Sequence, residues 1–243
     1  MPDRSKDMIK AVIFDMFETL ISHYRCPLYF SEQMAEDSGI PYDDFLKLWR
    51  ETDILRTTGK ITFEEIIERI LRENGAYSRK VFDNIVRKRT ETKYRCFENM
   101  HEEIIPMLEG LKKRGYKIGL ISNCFSEEAA VIRSSVLATF FDGIFLSWEQ
   151  GCAKPDEEIF RRCMSYLGVS PHECLYVGDG GSCELEAAEK LGMTAVQAVW
   201  YLIGGNPWQQ DINEKYRQVY SPLDIISIVD NSNAGECNGK IYK

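Results

Sequence analysis

Apolar and polar positions along this chain follow two different regimes. Residues 9–16, IKAVIFDM, form a nearly continuous apolar run that ends in an acid. That is the pattern of a strand buried on both faces in a parallel sheet. The pattern returns at 117–122 (KIGLIS), 143–147 (GIFLS) and 174–178 (CLYVG), and more weakly at 194–199 (TAVQAV). Segments with helical spacing separate these runs, at about 102–114, 126–137, 156–168 and 182–192. Gly115, Gly168 and Gly192 each stand at the end of such a segment, where a glycine in left-handed conformation ends a helix. Alternation of strand and helix implies right-handed crossovers and an open, doubly wound parallel sheet, an α/β fold of Rossmann-like type.

Residues 23–97 belong to the other regime. They contain no buried-strand pattern and predict helices near 27–38, 42–57, 62–74 and 78–96, rich in charged and aromatic residues. Their place between the first strand and the next predicts a small all-helical second domain over the carboxyl edge of the sheet. The expected organisation is therefore a core of residues 1–22 and 98–229, a helical domain of 23–97, and a polar, disordered tail of 230–243 (DNSNAGECNGKIYK). No internal repeat is apparent.

Composition narrows the functional classes. The chain has 243 residues, 44% of them hydrophobic, enough to bury a sizeable core. A formal net charge of -8 argues against a nucleic-acid partner. It leaves an anionic small molecule open, because a metal or a few local cations can bind one on an acidic protein. With no signal-like N-terminus and no apolar run long enough to span a bilayer, the expectation is a cytoplasmic protein without a membrane partner. Eight cysteines, at 26, 96, 124, 152, 163, 174, 183 and 237, include no CxxC pair and predict free thiols.

Ligands of open α/β sheets bind beyond the carboxyl ends of the strands, so the residues at those ends carry the chemistry. The first strand ends at Asp15 (DMFETL) and the second at Ser122 and Asn123 (LISNCF); Lys154 (AKPD) follows the third, and the fourth ends at Asp179 (VGDGGSCE). An acid after one strand is often only a turn residue. Two acids, a hydroxyl and a lysine from four strands on one edge are far more specific.

This ordered set resembles the haloacid dehalogenase (HAD) superfamily over about residues 9–200, including a helical cap inserted after the first motif. The resemblance implies that Asp15 is a nucleophile and that Thr19 lies in the turn after it. Ser122 and Asn123 would hold the transferred group. Lys154 would steady the charge of Asp15, and Asp179 would bind Mg²⁺ together with Asp15 and the backbone carbonyl of Phe17. Glu184 falls where the family often has a second acid. The chemistry is coherent: carboxylate attack on phosphorus splits one hard step into two, and a divalent cation with Lys154 offsets the repulsion between two acids and neutralises phosphoryl oxygens.

The chain departs from the family's phosphatases two residues after the nucleophile. Their acid, which protonates the leaving group, is replaced by Phe17, and the usual next glycine by Glu18. General acid–base help contributes roughly 10²–10⁴-fold. Glu18 either substitutes as the acid or, as adjacent strand-end side chains diverge, faces solvent. The leading expectation is a Mg²⁺-dependent phosphatase of a small phosphorylated metabolite, with the helical domain choosing the substrate. A 2-haloacid dehalogenase would need neither acid nor metal, yet the retained Gly178-Asp179 is the metal-binding form. A phosphonatase-like hydrolase would need an insertion lysine such as Lys47 or Lys60. A non-catalytic binding protein on the same fold remains a fourth reading.

Other signals have plainer explanations. Cys124, Cys152 and Cys183 beside the motifs read as small apolar filler. His23, Tyr24 and Arg25 sit at the entry to the helical domain, where they either touch substrate or serve as hinge residues. Trp49 with Phe45 reads as core of that domain. Arg56 and Lys60 flank a TTG turn and read as solvated charge before substrate grip. GDGGS at 178–182 is not a dinucleotide fingerprint, and HEE at 101–103 is not a zinc motif.

Overall fold

The structure, a computed structural model, describes residues 8–202 and 210–237. Strands β1 (Ala11–Phe14), β2 (Lys117–Ser122), β3 (Gly143–Leu146), β4 (Cys174–Gly178), β5 (Thr194–Ala198) and β6 (Arg217–Val219) form one sheet in the order β3-β2-β1-β4-β5-β6. Every neighbouring pair is parallel. Strand order reverses at β1, which opens a crevice beyond its carboxyl end. All four residues of β1 are buried, as its unbroken apolar run requires.

Alternation along β1 divides the core in two. Val12 and Phe14 face one side, with residues of α6 (Ile104–Lys113), α7 (Ser126–Ser134) and α11 (Asp224–Cys237). Ala11 and Ile13 face the other, with residues of α9 (Glu157–Leu167) and α10 (Glu184–Leu191). The short α8 (Ser147–Gln150) follows β3 directly. No described helix is long and apolar enough to cross a membrane.

Between β1 and β2 the chain makes α1 (Ser31–Ser38), α2 (Tyr42–Glu51), α3 (Asp53–Thr57), α4 (Phe63–Glu73) and α5 (Arg79–Glu98). These helices bury an apolar cluster of their own around Met34, Phe45, Phe63, Ile66 and Ile85. Local chemistry sets their limits. Thr62 and Glu65 cap α4 reciprocally, hydroxyl to backbone at 3.2 Å and carboxylate to backbone at 2.8 Å. The helix expected over 42–57 breaks at Thr52, whose hydroxyl donates back to the Leu48 carbonyl at 2.7 Å.

Two expectations need correction. The tail does not begin at residue 230: α11 continues to Cys237. Asn233 accepts from the Ile9 amide at 2.9 Å, and Arg114 donates to Asp230 at 3.0 Å, so side chains that looked solvating tie the helix down. Residues 238–243 lie outside the described residues. The edge strand β6 (RQV) was not anticipated, because three residues carry no readable alternation.

Candidate active site

Asp15 follows β1 directly, its amide donating to the Val177 carbonyl of β4 at 2.9 Å. Lys154, in the loop between α8 and α9, sends its Nζ to the carboxylates of both Asp15 and Glu184. All three groups are buried. Asn123, just beyond β2, fixes that lysine's backbone: its Oδ1 accepts from the Lys154 amide at 2.8 Å and its Nδ2 donates to the Lys154 carbonyl at 2.9 Å. The end of one strand thus positions the loop after another.

Asp179 follows β4 and accepts from the Gly181 amide at 2.9 Å. Glu184 begins α10, fully buried, and accepts from Tyr176 Oη at 2.9 Å and the Gly180 amide at 3.3 Å. Gly178 makes room for it, since a Cβ there would collide with the Glu184 carboxylate. Carboxylate oxygens of Asp15, Asp179 and Glu184 lie within 4.8 Å of one another. Burial, and then the neighbouring carboxylate of Asp15, push Asp179 up to about 7. Burial likewise pushes Glu184 up to about 8, against the pull of Lys154. Burial also raises Asp15.

A cavity of about 210 Å³ opens over this cluster, lined by Asp15, Phe17, Glu18, Asn123, Lys154, Asp179, Gly181, Ser182, Glu184 and Gln210. Among its described lining residues Lys154 is the sole cation, against four acids. Such a site disfavours an anion until protons or a further cation offset the acids. Three clustered oxygen donors suit a hard divalent ion such as Mg²⁺. Asn123, Lys154 and Ser182 also line a cleft of about 410 Å³ shared with Asp53, Ile54 and Thr57 of α3.

The remaining sequence candidates are not all brought to the cavity. Phe17 lines it, with its ring stacked on His23 at 4.4 Å between centroids. Ser122 is fully buried at the end of β2 and lines neither space. Thr19 is also fully buried and lines neither; its hydroxyl has no hydrogen-bond partner among the described residues. Glu18 does not face solvent. It is buried with φ of 58°, and its carboxylate accepts from Ser22 Oγ at 2.6 Å and the His23 amide at 2.8 Å. That directs it along the chain toward the helical insertion.

A second buried cluster, which no sequence pattern marks, lies beside Glu18. From α5, Arg89 donates to Glu127 at 2.9 Å and Glu128 at 3.0 Å, and Lys93 pairs with Glu128 at 2.6 Å. Lys93 Nζ also lies 2.6 Å from His23 Nε2. Burial, then the charge of Lys93, hold the His23 ring down to about 4. The neutral ring accepts from Lys93 and turns Nδ1 toward Glu18, 3.5 Å away. Arg56 is neither solvated nor a substrate grip: it is fully buried, with its guanidinium 3.6 Å from the Trp49 ring and 4.0 Å from that of Phe125.

Among the described residues, three non-glycine residues have positive φ, namely Glu18, Ser182 and Cys183 at 58°, 54° and 51°. Glu18 and Ser182 line the small cavity, and Ser182 and Cys183 line the adjoining cleft. Such outliers concentrate at functional sites, and no sequence pattern announced them.

Known proteins resemble this chain in sequence and in fold. The family model of haloacid dehalogenase-like hydrolases matches residues 9–192. A glyceraldehyde 3-phosphate phosphatase of Methanocaldococcus jannaschii is 27% identical, across 92% of this chain and 98% of that protein. Among solved structures, a HAD phosphatase from Thermococcus onnurineus superposes with a TM-score of 0.63 at 20% identity, covering 91% of this chain and 98% of that one. The L-2-haloacid dehalogenase of Xanthobacter autotrophicus gives 0.58 at 16% identity, covering 92% and 99%. At such identities these two likenesses concern the fold alone.

Proposed function

The chain belongs to the haloacid dehalogenase-like hydrolases, and from that membership we propose a phosphatase that takes a small phosphorylated metabolite with Mg²⁺ and works through an aspartyl phosphate. The observation that carries this reading is the charge balance of the small cavity, four acids against one lysine. A metal-free attack on carbon has no use for Asp179, which burial and Asp15 push up to about 7. A site for phosphate and a divalent cation does.

In this reading Asp15 attacks phosphorus and the leaving group departs with the bonding electrons. Lys154 stays protonated, since the carboxylates of Asp15 and Glu184 raise it above the ordinary lysine range against burial, and it holds Asp15 in place for attack. Asp15, Asp179 and the Phe17 carbonyl would hold Mg²⁺, which supplies neutralisation of the phosphoryl oxygens when bound. Glu184, pinned by Tyr176, Gly180 and Lys154, orients the lysine. Ser122 and Asn123 end the strand beside the attacking acid, with Asn123 placing Lys154 through its backbone. Phe17 transfers no proton and Glu18 is engaged with Ser22 and His23. The reading therefore favours substrates whose leaving group departs unprotonated, such as acyl or aryl phosphates. The helical insertion acts as a cap that selects substrate through the cleft beneath α3.

A dehalogenase is the second reading, and Phe17 favours it, because halide leaves as an anion. A panel of acyl phosphates, p-nitrophenyl phosphate, sugar phosphates and 2-haloacids, with and without Mg²⁺, separates the two. Phosphate release that needs Mg²⁺ is expected; halide release without metal would overturn the proposal.

A further inference from the structure

Two segments of chain join the helical insertion to the sheet, one leaving the Asp15 loop after Ser22 and one returning after α5. They meet at a pair of thiols. Cys26 Sγ lies 3.2 Å from Cys96 Sγ, although 70 residues separate them in sequence. Cys96, in the last turn of α5, also reaches the Thr92 carbonyl at 3.3 Å, and Cys26 reaches the His23 carbonyl at 3.2 Å. Cys26 is partly exposed, whereas Cys96 is fully buried. The surroundings treat the two thiols oppositely. Hydrogen bonding with Cys96 and then the charge of Lys93 bring Cys26 down to about 7 against burial, while the contact with Cys26 and burial raise Cys96. A partly exposed thiol of lowered pKa beside a buried thiol is the arrangement that thiol–disulfide exchange uses.

We propose that Cys26 and Cys96 form a redox modification site, at which a small-molecule disulfide of the glutathione class links the two segments that carry the insertion. The Cys26 thiolate attacks one sulfur of that disulfide, forms a mixed disulfide and releases one thiolate. The Cys96 thiol loses its proton and attacks the Cys26 sulfur, which forms the protein disulfide and releases the second thiolate. The protein dithiol is oxidised by two electrons and the small disulfide is reduced to two thiols. The link fixes the separation of the two segments, so any swing of the insertion away from the strand ends is restrained. It also lies three residues beyond His23, whose amide holds Glu18 at 2.8 Å in the loop that carries Asp15. The cross-link itself is independent of the phosphatase reading; only its effect on turnover rests on it.

The full-length protein is incubated with oxidised glutathione, digested without reduction and mapped by mass spectrometry. Expected is a linked pair of peptides carrying Cys26 and Cys96, two hydrogens lighter than their sum and separated by dithiothreitol. In Cys96→Ser, Cys26 keeps the glutathione adduct instead. Wild-type turnover of p-nitrophenyl phosphate falls about threefold or more and recovers on reduction, whereas Cys26→Ser treated alike does not fall. Unlinked Cys26 and Cys96 alongside modified Cys183, an exposed thiol, would overturn the site. A link without any change in turnover would overturn the restraint. If no phosphate ester is hydrolysed at all, the phosphatase reading fails and the peptide map alone decides the link.

Discussion

Two buried charge clusters lie beside each other in this protein, and they are built on opposite plans. At the strand ends, Lys154 is shared by Asp15 and Glu184 with Asp179 close by, and the group opens into a cavity of about 210 Å³. Between α5 and α7, Arg89 and Lys93 face Glu127 and Glu128, two charges of each sign, and none of these but Glu128 lines either space at the strand ends. Excess acid over a cavity leaves a charge for something else to neutralise. Matched charges in a packed joint leave nothing over and set how two parts of the chain sit together. Burial alone therefore does not distinguish chemistry from architecture; stoichiometry and open space do.

That comparison can be broken by removing one member from each cluster. Asp15→Asn should lower turnover by at least about 10³-fold and leave the urea midpoint nearly unchanged; a variant that loses stability in step with activity would place Asp15 in the architecture as well. Arg89→Ala should do the reverse. It leaves Glu127 and Glu128 underpaired, which costs about 3–5 kcal/mol in urea unfolding, with turnover of the folded fraction largely kept.

Acid should act on the balanced cluster through His23. Its pKa falls from 6.5 to about 4 on folding. Between those values the unfolded chain binds the proton and the folded protein does not. This contribution is complete above pH 6.5 and is lost as pH falls toward 4, up to about 3 kcal/mol in all. Urea midpoints across that range for wild type and His23→Phe check it, since the variant should lose the His23 part of the slope. The smallest expected effect concerns the excess-acid cluster. Phe17→Asp should raise turnover of alkyl phosphates about tenfold, part of what a general acid supplies; no gain would mean that another group already donates the proton.

Much of the excess-acid cluster was legible in the sequence, for a local reason. Asp15, Ser122, Asn123 and Asp179 each end an apolar run, so strand pattern and topology placed them on one edge without any contact being known. The balanced cluster was not legible, because His23, Lys93 and Glu128 come from three distant parts of the chain and look like ordinary surface residues. Arg56 misled in the same way: its burial depends on Trp49 and Phe125 closing over it from two sides. Glu18 departs from expectation because its direction is set by backbone conformation, a φ of 58°, which its residue type does not advertise. Residues 230–237 depart from expectation because composition cannot reveal that Asn233 finds Ile9 at the other end of the chain.

The left-handed backbone at Glu18, Ser182 and Cys183 bears on how this protein could be altered. Each such residue holds about 1 kcal/mol of conformational strain that glycine would release. A selection for heat resistance has ready targets in Cys183→Gly and, at the loss of the hydroxyl that accepts from Asn123 at 3.2 Å, Ser182→Gly. The same substitutions would loosen the rim beside Asn123 and Lys154. Thermal hardiness and a firmly shaped entrance thus draw on the same few torsion angles, and a lineage that improves one gives up part of the other.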